Sequence, residues 1–267
     1  MRLPAAILLL LVLDLAGCAS SPSSPGTVAY LLPPALRGAD VIVIGEVHGT
    51  NEAPRAVGDV VAQLARLGPV ALALEIPRDI DRDLRAYMAS DGGPGAREAL
   101  LRGAFWQRRP AQQDGRGSVA MFALIERMRV LRASGADVRI AAFDAASGAG
   151  AVHERTLADQ ATLEMRAGQV LVVLTGNVHA IHYPGEAVPP RGESMAKMMP
   201  QPVVTLVARG RGGSAWTCIR RECGSHEGMA EYQDASRDGR IDLHRIDGYD
   251  GEIFIGPVTA SPPAAAR

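Results

Sequence analysis

Apolar positions fall along this chain in two alternating periods. Val41 to Ile44 (VIVI), Val70 to Leu74 (VALAL), Val138 to Phe143 (VRIAAF) and Val170 to Leu174 (VLVVL) are aliphatic runs of strand length, rich in β-branched residues. Between them Ala53 to Leu67 sets Val57, Val60, Val61, Leu64 and Leu67 on one helical face. Ile80 to Met88 and Val119 to Leu131 repeat that period, and Ala151 to Ala167 is a weaker, more polar helix. Strands alternating with helices predict an α/β fold: a mainly parallel sheet flanked by helices on both faces, with right-handed crossovers. Val203 to Val207 adds a fifth strand, after which Gly210 to Gly213 breaks the pattern. Short runs near Trp216 to Ile219, Ile241 to His244 and Glu252 to Ile255 predict a small β-rich C-terminal annex, spanning about 210–256 of a single domain over 38–256. Residues 257–267, ending in ASPPAAAR, are expected to be a disordered tail.

Composition narrows the function classes. With 28 Lys and Arg against 29 Asp and Glu the net charge is −1, which excludes the basic excess of a nucleic-acid binder. A hydrophobic content of 47% excludes a disordered chain, while aromatics at 4% leave the core to Ala, Val, Leu and Ile.

The N-terminus carries a location signal. Met1-Arg2 precedes an apolar run from Leu3 to Leu13 and then Leu15-Ala16-Gly17-Cys18, a signal peptide ending in a lipobox. That run is shorter than the roughly 20 residues a membrane-spanning helix needs. Residues 1–17 are expected to be removed, and Cys18 to become a lipidated N-terminus inserted in a lipid bilayer. Residues 18–37, which include SSPSSP at 20–25, read as a tether. Ala19, rather than Asp, after the lipidated residue favours the periplasmic face of the outer membrane. In that oxidising compartment Cys218 and Cys223 are expected to bond and close a small hairpin.

The candidate chemistry sits at the strand ends. The first strand runs into Gly45-Glu46-Val47-His48, the second into Glu75, the third into Asp144 and the fourth into Gly176-Asn177-Val178-His179. Carboxyl ends of parallel strands share one edge of the sheet, so these ionisable groups are expected to converge on one pocket. Gly-x-x-His occurs twice, each time directly after an apolar strand, and the glycine suits a sharp turn at the sheet edge. Asp144 and Glu75 also suit the N-cap of a following helix.

Two mechanisms stay open. In one, neutral His48 draws a proton from water while Glu46 or Glu75 orients its ring and Arg55 stabilises an oxyanion. In the other, His48, Glu75 and His179 hold a divalent metal as a two-histidine, one-carboxylate site. No G-x-S-x-G, P-loop or H-E-x-x-H motif is present.

Val41 to Glu52 (VIVIGEVHGTNE), the Leu74-Glu75 strand end and Leu174 to His179 (LTGNVH) resemble the shared motifs of the superfamily joining erythromycin esterases, ChaN-like haem-binding lipoproteins and the TraB/Tiki group. The resemblance covers residues 40–185 and implies an α/β fold with a cleft lined by these motifs. Its esterase branch implies catalytic roles for Glu46, His48, Arg55, Glu75 and His179. Its TraB/Tiki branch implies a metal-dependent peptidase. Its ChaN-like branch implies haem binding and iron handling, for which His182 and Tyr183 are candidate ligands.

Phe105 to Arg109 and Asp114 to Ser118 form a Gly- and Pro-punctuated stretch that reads in two ways. It is a substrate lid whose arginines bind an acidic group, or a loop in which Phe105 and Trp106 anchor to the core, Asp114 forms a turn and Ser118 caps a helix. Turn chemistry alone accounts for most of these residues. Met195, Met198 and Met199 read as adaptable filler, and His153, His226 and His244 have no supporting pattern.

Overall fold

The computed structural model describes residues 30–145, 148–183, 193–220 and 222–265. The leader, Cys18 and most of the expected tether lie outside the described residues. In chain order the elements are α1 (Pro34–Arg37), β1 (Val41–Glu46), α2 (Glu52–Leu64), β2 (Val70–Pro77), α3 (Asp81–Met88), α4 (Pro94–Leu101), α5 (Val119–Ala133), β3 (Val138–Asp144), α6 (Ala151–Thr162), β4 (Val170–Gly176), α7 (Met195–Met198), β5 (Val204–Ile219), β6 (Glu222–Glu227), β7 (Ile241–Ile246) and β8 (Tyr249–Val258).

The strands form one eight-stranded sheet in the order β3-β2-β4-β1-β5-β8-β7, with β6 paired to β5. From β3 to β8 every pair is parallel, while β7 runs antiparallel to β8 and β6 antiparallel to β5. The chain is thus an α/β protein with a mostly parallel sheet and antiparallel C-terminal strands. Alternation along β1 explains the layering: Ile42 and Ile44 pack on one face with Val57, Val60, Val61 and Leu64 of α2. Val41 and Val43 pack on the other with Leu157 and Ala161 of α6. Each such side chain contributes roughly 1.5–3 kcal/mol of burial, so Leu72→Ala, in a position fully buried at 0% exposure, would open a cavity that the rigid sheet cannot close. No helix among the described residues is long and apolar enough to cross a membrane.

Both ends of the domain extend further than the hydrophobic pattern suggests. Tyr30, Leu32 and Leu36, expected in a tether, are buried in the core, and the Gln63 side chain donates to the Tyr30 carbonyl at 2.6 Å. At the other end the expected disordered tail is instead packed: Val258 and Ser261 are buried, and residues 259–264 bridge Thr50 and Ser118. Its proline-rich sequence lacks helix or strand periodicity, yet its backbone finds partners in neighbouring loops. The Phe105–Ser118 stretch follows its turn chemistry. Phe105 and Trp106 are buried, Asp114 accepts the Arg116 backbone N–H at 3.2 Å, and Ser118 accepts that of Met121 at 3.2 Å to cap α5. Cys218 and Cys223 are disulfide-bonded across the β5–β6 hairpin.

Candidate active site

Glu46, His48, Glu75, Asp144 and His179 all line one cleft of about 390 Å³ at the carboxyl ends of β1, β2, β3 and β4. The strands that deliver them are buried throughout their length, which fixes the backbone beneath the cleft. In β2 the register with β3 shifts between Leu74 and Pro77, a bulge that aims Glu75 towards the cleft instead of leaving it to cap a helix. Asp144 is no cap either, because α6 begins only after Gly150.

The repeated glycines serve space rather than turning. A Cβ on Gly45 would lie 2.8 Å from the Asn177 Cα and 2.9 Å from the Ala180 Cβ, so the two Gly-x-x-His motifs pack directly on each other. Neither has a positive φ; Gly45 continues β1, while the chain does turn after Gly176, from β4 into a single 3-10 turn over Asn177–Ala180.

Glu75 stands at the centre. Its Oε2 accepts from the Thr175 hydroxyl at 2.5 Å and the Gly176 N–H at 2.7 Å, and its Oε1 accepts from Arg116 at 3.3 Å. Two imidazoles face it, His48 Nε2 at 3.8 Å from Oε2 and His179 Nε2 at 3.9 Å from Oε1. Burial works to raise the Glu75 pKa, but His48, His179 and Arg116 outweigh it and hold the carboxylate ionised well below its usual range.

Each histidine is backed by a second carboxylate on its other nitrogen. His48 Nδ1 lies 3.0 Å from Glu46, and His179 Nδ1 lies 2.8 and 3.0 Å from the two oxygens of Glu154. Burial opposes charge on His48, yet its bonds to Glu46 and Glu75 push its pKa up to about 10. His179 is likewise raised, burial being outweighed by Glu154 and Glu75, while the charge on His48 works against it. Glu46, 2% exposed, is raised by burial against the pull of His48. Glu154 also accepts the Met195 N–H at 2.8 Å, and the His153 ring meets that of His179 edge-on at 5.6 Å.

Arg116 is the cation of the site, and Arg55 is not. Arg116 donates to Asp144 at 2.7 Å, to Glu75, and through two nitrogens to Asp114 at 3.0 and 2.7 Å. Burial is outweighed by Asp114, Glu75 and Asp144, so its charge is held. With its fork spent on protein carboxylates it fixes Glu75 rather than binding an acidic group of a substrate. Arg55 is exposed on α2 and interacts with the Tyr30 phenol, so the expected oxyanion role falls away; helix phase turns position 55 away from the cleft.

The candidate haem ligands sit elsewhere. His182 and Tyr183 pack against the β7–β8 turn, both N–H groups bonding to Gly248 O, and the Tyr183 hydroxyl donates to Asp250 at 3.0 Å. Neither lines the cleft. The metal expectation for His48, Glu75 and His179 also meets an obstacle. Among the described residues no three or more His, Cys, Asp or Glu side chains are arranged to hold a metal ion. Glu75 already accepts three hydrogen bonds from protein donors, whereas the carboxylate on each Nδ1 leaves both Nε2 atoms facing Glu75.

Sequence reasoning passed over Glu154 and His153. They lie in the first turn of a polar helix, and their signal was a His-Glu pair directly after a Gly-rich break that follows an apolar strand.

No family model and no curated protein matches this sequence. Among solved structures, a Bacillus cereus protein is similar over 86% of this chain and 91% of its own, at 11% identity and a TM-score of 0.58. The type III effector HopBA1 matches over 75% of this chain and 91% of its own, at 19% identity and a TM-score of 0.44. A structure of Pasteurella multocida toxin, described with a thiol-protease-like catalytic triad in its C-terminal region, matches over 79% of this chain and 26% of its own, at 11% identity and a TM-score of 0.41. The first likeness speaks for a shared fold and for nothing more; at their TM-scores the other two carry no argument.

Proposed function

We propose that this chain is a lipoprotein of the cell envelope, anchored through Cys18 in the outer membrane facing the periplasm, whose cleft hydrolyses an ester, amide or peptide bond. One observation carries the hydrolytic reading: two carboxylate-backed histidines present Nε2 to the same ionised glutamate from two sides, at 3.8 and 3.9 Å. Paired acid and base groups of unequal basicity are what water-mediated acyl transfer needs.

The roles follow from the charges. His48, with its pKa near 10, keeps its proton at neutral pH and acts as the acid that polarises the carbonyl and protonates the leaving group. The base role is assigned to His179, whose charge is opposed by that of His48 although Glu154 and Glu75 raise its pKa, so it would draw a proton from water. This reverses the base role expected for His48. Glu75 holds both rings in register, Glu46 backs the His48 imidazolium, Glu154 sets the tautomer of neutral His179, and Arg116 keeps Glu75 in place. The resemblance of the VIVIGEVHGTNE and LTGNVH segments to the esterase superfamily supports the same reading.

The test is a panel of ester and peptide substrates given to the native chain and to His48→Ala and His179→Ala. Turnover lost in both variants, with the fold retained, is expected; turnover retained in both would overturn the reading. The location is tested by Cys18→Ser, which is expected to release the protein from the membrane fraction.

A further inference from the structure

Three loops of different origin meet beside the cleft. One follows His48, one precedes Arg116, and one is the β5 limb of the disulfide hairpin. Their backbones touch: a Cβ on Gly49 would fall 1.9 Å from the Trp216 carbonyl oxygen, and one on Gly115 would fall 2.5 Å from the same atom and 2.6 Å from Gly49 N. Gly49 and Gly115 have φ of +79° and +95°, so both space and conformation demand glycine.

The segment after β8 crosses this junction. The Gly49 carbonyl accepts the N–H groups of both Trp216 and Ser261 at 2.8 Å. Ser261 is fully buried, at 0% exposure, and its hydroxyl accepts the Ala120 N–H at 2.9 Å in the first turn of α5. On one side of it Thr259 bonds to Asn51 and Glu52; on the other, Pro262 O accepts from Val119 and Ala264 N–H donates to Gly117. One segment thus ties the residue after His48 to the residues after Arg116.

We infer that residues 259–264 form a strap that positions the His48 loop against the Arg116 loop, with Ser261 as its positioning residue. The inference rests on the hydrolytic reading for its consequence in turnover but not for its geometry. Among the described residues the strap has no hydrogen bond to Glu154 or His179, which are held through α6 and α7. It should therefore act on His48 more than on His179, which it reaches only through Arg116 and Glu75, a selectivity that general destabilisation cannot produce.

The experiment compares the full chain with Ser261→Ala and Thr259→Ala, checking the fold by circular dichroism. Solvent exchange of the ring N–H protons of His48 and His179 is read by NMR, and kcat and KM are read on the best substrate of the panel. Ser261→Ala, which frees the Ala120 N–H, is expected to speed exchange at His48 about tenfold, change His179 severalfold less, and lower kcat about tenfold with KM constant, the cost of a misplaced catalytic group. Thr259→Ala lies at the exposed end of the strap, so it folds even if Ser261→Ala does not, and should give the same selective change at smaller size. Equal change at both histidines, or none, would overturn the strap. A selective change at His48 in a protein that turns over no substrate would keep the strap and defeat the hydrolytic reading.

Discussion

His48 draws its carboxylate from two residues back, at the last position of β1, whereas His179 draws its own from a helix 25 residues earlier in the chain. In the first pair, Glu46 ends β1 and His48 opens the turn that follows it, so the contact is nearly a property of local backbone. In the second, Glu154 arrives only when α6 has docked on the sheet and its carboxylate has also met α7. Similar pairs of side chains can therefore differ in how readily they are disturbed: one by changes in a strand, the other by changes in helix packing.

The coarsest way to break the comparison is to remove a ring. His48→Ala and His179→Ala are each expected to lower kcat/KM by roughly 10²–10⁴, the range for a lost general acid or base, measured on a substrate cleaved by the native chain. A large inequality between them would mean that one ring does not take part in the chemistry.

Removing a backing carboxylate sharpens it. Glu46→Gln and Glu154→Gln should each cost roughly tenfold to a hundredfold in activity, with opposite marks on the pH profile. The native profile is expected to rise above pH 6.5 as His179, whose pKa is raised, loses its proton. It should fall near pH 10 as His48 loses its own. Losing a carboxylate that stabilises an imidazolium lowers that ring's pKa. Glu46→Gln should therefore pull the alkaline limb down, and Glu154→Gln should shift the acid limb to lower pH. A profile in which both variants move the same limb would refute the division of roles.

Arg116→Lys probes what the two pairs share. Lysine keeps the charge but cannot fork across Asp114, Asp144 and Glu75. A stability loss of about 1–3 kcal/mol from the unpaired acceptors is expected in thermal unfolding, with both pH limbs displaced together. The smallest effect is expected from a metal chelator. The Glu75 carboxylate already accepts three hydrogen bonds from protein donors, so activity should persist; its loss on chelation and return with added metal would favour a metal held by His48, Glu75 and His179 instead.

Legibility in the sequence followed the range of the interaction. The apolar runs marked β1 to β4 because strands buried on both faces must be aliphatic throughout, and the residues at their ends marked the cleft. Short elements carried too little period: α4 went unread, and residues 30–37 and 257–265 passed for linker because their order comes from distant partners. Within the site, Glu46 was readable from its spacing to His48. Glu154 and the actual partners of Arg116 required knowing which loops meet, which depends on tertiary packing and not on any local pattern. Arg55 misled for the opposite reason, since closeness in sequence to His48 placed it on a helix facing another way.

The strap also orders events in time. Asn51 and the Thr259 that holds it are 208 residues apart, and a chain made from its N-terminus exposes the first long before the second. A nascent chain can already contain both histidines and their carboxylates while the loop after His48 still lacks its tether. Contacts of such sequence separation form late in folding. The chain thus completes the setting of its reactive groups last, an inherent delay between synthesis and competence.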